Sequence, residues 1–134
     1  MSIITETTAL AAFCERAATF PFLTVDTEFI REKTYWPVLC LVQVGTPNEA
    51  VAIDTLAEGI DLTPLFDILA NEQVLKVFHA ARQDVEIFVH LSGNVPTPIF
   101  DTQIAAMVCG YGDSVGYERL VRDIAKKSID KTMR

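Results

Sequence analysis

Two rhythms of apolar residues divide the chain, one of period 3.6 and one of period 2. In residues 7–18, Leu10, Phe13, Cys14 and Ala17 recur at i, i+3, i+4 and i+7, which predicts an amphipathic helix with Thr7 or Thr8 as N-cap. After Pro21 the run Phe22-Leu23-Thr24-Val25-Asp26-Thr27-Glu28-Phe29 alternates with period 2 and predicts a strand. Residues 38–44 are almost continuously apolar, as in a strand covered on both faces. A turn at Gly45-Thr46-Pro47-Asn48 leads into a third strand over residues 50–53, so the first three strands form an antiparallel meander.

The rhythm then changes. Thr63 is the expected cap of a helix with Pro64 at its first position, ending near Ala70. A strand over residues 74–78 is followed at once by a helix over residues 81–91, and Gly93-Asn94-Val95-Pro96-Thr97-Pro98 breaks the chain. A brief extended piece at Ile99-Phe100 precedes helices over residues 101–108 and 117–127. A meander followed by alternating helices and strands predicts an α/β layer fold, a mixed sheet with helices on its faces.

Composition narrows the class. A chain of 134 residues, 50% hydrophobic with a mean hydropathy of +0.28, fits one folded domain. The longest apolar run is far too short to span a bilayer, and the first residues lack the pattern of a signal peptide. Cys14, Cys40 and Cys109 are widely spaced, without a C-x-x-C pair, and read as thiols in a reducing compartment. A cytoplasmic protein without a membrane partner is expected. The net charge of −7 argues against a nucleic-acid partner, but it is unevenly spread. Residues 1–118 carry 5 Lys/Arg against 16 Asp/Glu, whereas residues 119–134 carry 6 against 2. Such asymmetry marks either a basic arm or a solvated helix face.

The candidate chemistry lies in the acids. Strand alternation puts Asp26 and Glu28 side by side on one face, roughly 7 Å apart in a regular strand. Two like charges there repel unless a cation offsets them. On the predicted helix, Asp84 shares a face with Ile87, Phe88 and Leu91, an apolar setting that calls for a positive partner or a metal. Asp101 reads as an N-cap, and His79 as a histidine bonded at a strand end. Tyr35, Tyr111 and Tyr117 read as packing residues, and no phosphate-binding glycine motif occurs. Three carboxylates suit Mg²⁺ or Mn²⁺ rather than zinc. A pair of such ions serves phosphodiester hydrolysis and neutralises the repulsion between an acidic site and a nucleic-acid backbone.

Four stretches carry a family resemblance: Phe22-Leu-Thr-Val-Asp-Thr-Glu-Phe29, Pro37-Val-Leu-Cys-Leu-Val-Gln-Val44, Val77-Phe-His-Ala-Ala-Arg-Gln-Asp84 and Phe100-Asp-Thr-Gln-Ile-Ala-Ala106. In this order they resemble the exonuclease domain of bacterial ribonuclease D, in the DEDD superfamily of 3′-5′ exonucleases. The resemblance implies a ribonuclease H-like fold and an exoribonuclease that uses two divalent metal ions. Its implied substrates are structured RNA 3′ ends, tRNA precursors among them. It assigns Asp26 and Glu28 to the first motif and Asp84 to the second, as metal ligands and catalytic acids, and matches Asp101 to a structural residue.

The family's third motif, Tyr-x-x-x-Asp, is absent: Tyr35, Tyr111 and Tyr117 are followed four residues on by Leu39, Val115 and Val121. His79 and Asp84 fit a His-x-x-x-x-Asp variant, but in the place of the second motif. The expectation is therefore an exonuclease domain, residues 1–134, that ends before the third motif and before the helical nucleic-acid-binding domains, and is inactive or impaired alone. The alternatives are a non-catalytic nucleic-acid-binding module on the same fold, using residues 119–134, and a DNA-directed exonuclease.

Overall fold

The computed structural model describes residues 1–31, 37–110 and the single positions 116, 119 and 122. In chain order the elements are β1 (Ser2–Ile4), α1 (Thr7–Ala17), β2 (Phe22–Ile30), β3 (Val38–Gly45), β4 (Ala50–Asp54), α2 (Thr63–Ala70), β5 (Leu75–Phe78), α3 (Arg82–Ser92), β6 (Ile99–Asp101) and α4 (Thr102–Val108). The strands form one mixed sheet in the order β1-β4-β3-β2-β5-β6. The meander β2-β3-β4 is antiparallel as predicted, while β1 joins β4, β5 joins β2 and β6 joins β5 in parallel. Ser2–Ile4 was not expected as a strand; three residues are too few for a period to show.

Register sorts the side chains onto two faces of the sheet. Val25 pairs with Val44, which pairs with Val51, and Thr27 pairs with Val42, which pairs with Ile53. All six are buried. Leu10 and Phe13 of α1, Leu65 and Ile68 of α2, and Ile87 and Phe88 of α3 join the five aliphatic ones in one core. Phe78 and Phe88 meet edge to face, their ring centroids 6.5 Å apart. Each such aromatic or aliphatic side chain contributes about 1.5–3 kcal/mol on burial.

The opposite face carries Phe22, Thr24, Asp26 and Glu28 of β2, all exposed. From Leu41 on, β3 accordingly alternates instead of being covered on both faces: Val42 and Val44 are buried, whereas Leu41 and Gln43 are half-buried. Leu39 is buried too, because the register skips Cys40 opposite Glu28 and Phe29 and returns Leu39 to the core face.

Local capping differs from expectation at two helices. The N-cap position of α1 is Glu6, without a side-chain bond, and the Thr7 hydroxyl instead accepts from the Asp61 amide at 2.9 Å. Thr63 is already helical; the Asp61 carboxylate accepts from its amide at 2.9 Å and its hydroxyl at 2.6 Å. A carboxylate is the better acceptor, so Asp61 holds the start of α2. The expected helix over 117–127, and Tyr35, Tyr111 and Tyr117, lie outside the described residues except for positions 119 and 122.

Candidate active site

β2 is the central strand of the site because only half of it is paired on the β5 side. β5 pairs with Phe22, Leu23 and Thr24 and ends at Phe78, where the chain turns into α3. Beyond Thr24 the β2 edge faces the N-terminal end of α3, and there Asp84 reaches the strand. The Thr27 hydroxyl donates a short hydrogen bond to Asp84 Oδ1. Both side chains are buried, each 7% exposed.

Asp26 and Glu28 flank Thr27 in sequence but stand on the open face, as the alternation predicted. A register shift between Glu28 and Phe29 then breaks the regular pairing with β3. The three acids therefore sit around one short piece of β2, with Asp84 on the core side and the other two on the solvent side. Among the described residues no three His, Cys, Asp or Glu side chains converge to hold a metal ion.

The electrostatics tie the acids together even so. Burial is the main cause that pushes the Asp84 carboxyl up from 3.8 to about 6. The Thr27 hydrogen bond opposes this by favouring the charged form, while the charges of Asp26, Asp101 and Glu28 add to it. A site with surplus negative charge and only carboxylate oxygens as donors suits a hard divalent cation in chemistry and in charge.

Beside Asp26 the open face forms a groove of about 450 Å³, lined in part by Thr24, Asp26, Gln43, Val77, His79 and Thr102. His79 Nδ1 lies 2.8 Å from the Thr102 hydroxyl, which also donates to the Phe78 carbonyl at 3.2 Å. Asp101 caps α4, accepting from the Gln103 amide at 2.9 Å, as expected from its place in the sequence.

Over residues 1–134 the chain matches the family model described as 3′-5′ exonuclease. The chain belongs to the 3′-5′ exonuclease family. It is 60% identical to ribonuclease D of Nitrobacter hamburgensis over 134 residues, which cover 100% of this chain and 35% of that protein. Ribonuclease D of Jannaschia sp. is 62% identical over 135 residues, covering 98% and 35%. The crystal structure of Escherichia coli RNase D, an exoribonuclease involved in structured RNA processing, superposes with a TM-score of 0.90 at 38% identity, covering 98% of this chain and 35% of that one. The ribonuclease H-like fold expected from the sequence is thereby established. Brucella melitensis NrnC with bound Mg²⁺ shares the fold, with a TM-score of 0.76 at 22% identity, covering 98% and 62%. The chain spans about a third of the length of the curated ribonuclease D relatives it matches.

Two residues of consequence escaped the sequence reading. Thr27 shares its strand face with Leu23 and Val25, and a hydroxyl among those apolar residues was the available signal. Lys76 is fully buried in β5, its ammonium donating to the carbonyls of Asn71 at 2.5 Å and Thr97 at 2.7 Å. Leu91, assigned to the inward face of α3, is 45% exposed, because the helix ends one residue later and Gly93 turns the chain away with φ 78°.

Proposed function

We propose that residues 1–134 are the exonuclease domain of a 3′-5′ exoribonuclease of the ribonuclease D type. It hydrolyses phosphodiester bonds at the 3′ ends of structured RNA, tRNA precursors included. The observation that carries this reading is the grouping of Asp26, Glu28 and Asp84 around one half-paired segment of β2, in a chain of the exonuclease family. Asp26, Glu28 and Asp84 would hold two divalent ions, Mg²⁺ or Mn²⁺. Such ions, when bound, activate a water and offset charge on the leaving oxygen.

The groove beside Asp26 falls within the range of small-ligand sites, about 300–1,000 Å³, and is the proposed seat of the terminal nucleotide. Gln43, His79 and Thr102 offer hydrogen-bonding groups there, and Val77 offers an apolar surface. A cytoplasmic setting suits this reading: Cys14, Cys40 and Cys109 are all free thiols. No helix among the described residues is long and apolar enough to cross a membrane.

Residues 1–134 contain no Tyr-x-x-x-Asp and so lack the fourth acid of the family's metal site. By themselves they are expected to be inactive or severely impaired. The test compares trimming of a 3′-labelled structured RNA by the product of the complete reading frame and by residues 1–134, each with Mn²⁺. The reading expects stepwise 3′ shortening by the first, abolished by Asp26→Ala, and little by the second. Shortening by the first that survives Asp26→Ala would overturn it.

One observation favours a second reading: the three acids do not converge among the described residues. A non-catalytic nucleic-acid-binding module would bind RNA in a salt-sensitive way that survives loss of Asp26, Glu28 and Asp84.

A further inference from the structure

The geometry points to Asp101 as the residue that positions Asp84, beyond its role as a helix cap; the inference rests on the metal-site reading above. Its carboxylate accepts three backbone amides at once. Oδ1 takes those of Ala80 and Gln103, each at 2.9 Å, and Oδ2 takes that of Ala81 at 2.8 Å. Capping α4 needs only the Gln103 amide. The other two belong to the turn that launches α3, 21 and 20 residues earlier in the chain.

That turn needs holding. Ala80 sits at φ 56°, in the left-handed region that side chains with a Cβ avoid. Both Asp101 bonds bracket this strained residue. The next pair of residues in each segment adds a second fastening, the Thr102 hydroxyl reaching the Phe78 carbonyl and His79. Ala81 is the N-cap residue of α3, and its carbonyl accepts the Val85 amide at 2.8 Å, closing the turn that contains Asp84. A shift of Ala81 therefore shifts Asp84. Thr27 fixes the carboxyl end of that side chain, and Asp101 fixes the backbone from which it starts. Asp101 is a positioning residue for the proposed metal site.

Asp101→Asn separates this role from capping. Asn caps a helix as well as Asp does, and its Oδ1 still accepts from Ala80 and Gln103. Its NH₂ group, however, faces the Ala81 amide, donor against donor. Ala80→Gly supplies the complementary change, since glycine adopts φ 56° without strain and alters no charge.

The experiment measures Mn²⁺ affinity by EPR and amide hydrogen exchange on residues 1–134, for the wild type, Asp84→Ala, Asp101→Asn, Ala80→Gly and the Asp101→Asn/Ala80→Gly double variant. Loss of a residue that orients a ligand weakens metal binding about 10-fold or more. Asp101→Asn is expected to do so and to speed exchange over residues 81–85, leaving residues 105–108 as in the wild type; Ala80→Gly in the same chain restores most of both. Wild-type affinity and exchange in Asp101→Asn would overturn the inference, leaving only a cap. Weakened affinity with unchanged exchange and no recovery would also overturn it, since loss of charge alone then accounts for the result. Should Asp101→Asn not fold, recovery of folding by Ala80→Gly supports the inference and its failure overturns it. If wild type and Asp84→Ala bind Mn²⁺ equally, the metal-site reading fails, and the exchange data alone decide whether Asp101 positions the turn.

Discussion

Asp84→Asn, studied in a chelating buffer, tests whether the site is built at the expense of stability. Burial and three neighbouring acids raise the Asp84 carboxyl from 3.8 to about 6 in the folded chain. A raised carboxyl means that the folded state binds its proton more tightly than the unfolded state. Stability therefore falls as pH rises through the window from about 4 to about 6. Below it, both states are protonated and the penalty is absent. Above it the penalty is complete, on the order of 3 kcal/mol for a displacement of this size.

Asparagine keeps the shape and the carbonyl oxygen that accepts from Thr27, but never carries the charge. Urea unfolding of wild type and Asp84→Asn at pH 7.5 and pH 4 is the assay. The variant is expected to be more stable at pH 7.5 by about 1–3 kcal/mol, since denatured-state charge and local relaxation reduce the full figure. At pH 4 most of the difference should be gone. A variant that is less stable at pH 7.5, or one whose advantage does not shrink towards pH 4, would show that the Asp84 charge carries no such penalty. Saturating Mn²⁺ should stabilise the wild type and leave the variant little changed, because a ligand stabilises only the state that binds it.

Two further predictions use single side chains. Thr27→Val removes the hydroxyl that holds Asp84 in its charged form, so the Asp84 carboxyl rises further and urea stability at pH 7.5 falls by about 1–3 kcal/mol; unchanged stability would show that the bond carries nothing. Lys76 is pushed down to about 8 by its burial, so the unfolded chain holds its proton more tightly and wild-type stability gains a rising component between pH 8 and 10.5. Lys76→Met should abolish that component in thermal melts across the range, and an identical pH slope in both proteins would contradict it.

The open-face placement of Asp26 and Glu28 was legible from the sequence because period 2 is a local property of β2, and the meander because short turns join its strands. The family resemblance reached further than periodicity, implying one role for the three acids. What periodicity could not give was the relation between faces. Thr27 and Asp84 are 57 residues apart and meet only because β5 stops at Phe78 and frees the edge of β2. Asp101 was recognisable as a cap of α4, since that bond is local, but its hold on Ala80 and Ala81 spans a strand pairing. Lys76 looked like an ordinary strand residue; the carbonyls that accept its ammonium come from two separate loops. In the same way, the apolar run over residues 38–44 suits burial on both faces, yet among the described residues Leu41 and Gln43 on its second face are only half-buried.

We propose Asp26, Glu28 and Asp84 as the ligands of one divalent-metal site. Titration of Mn²⁺ into residues 1–134, read by EPR, tests it most directly when the wild type is compared with Asp26→Ala, Glu28→Ala and Asp84→Ala. The wild type is expected to bind Mn²⁺ measurably and all three variants to lose affinity. Equal Mn²⁺ affinity in the wild type and any one of the three would contradict it.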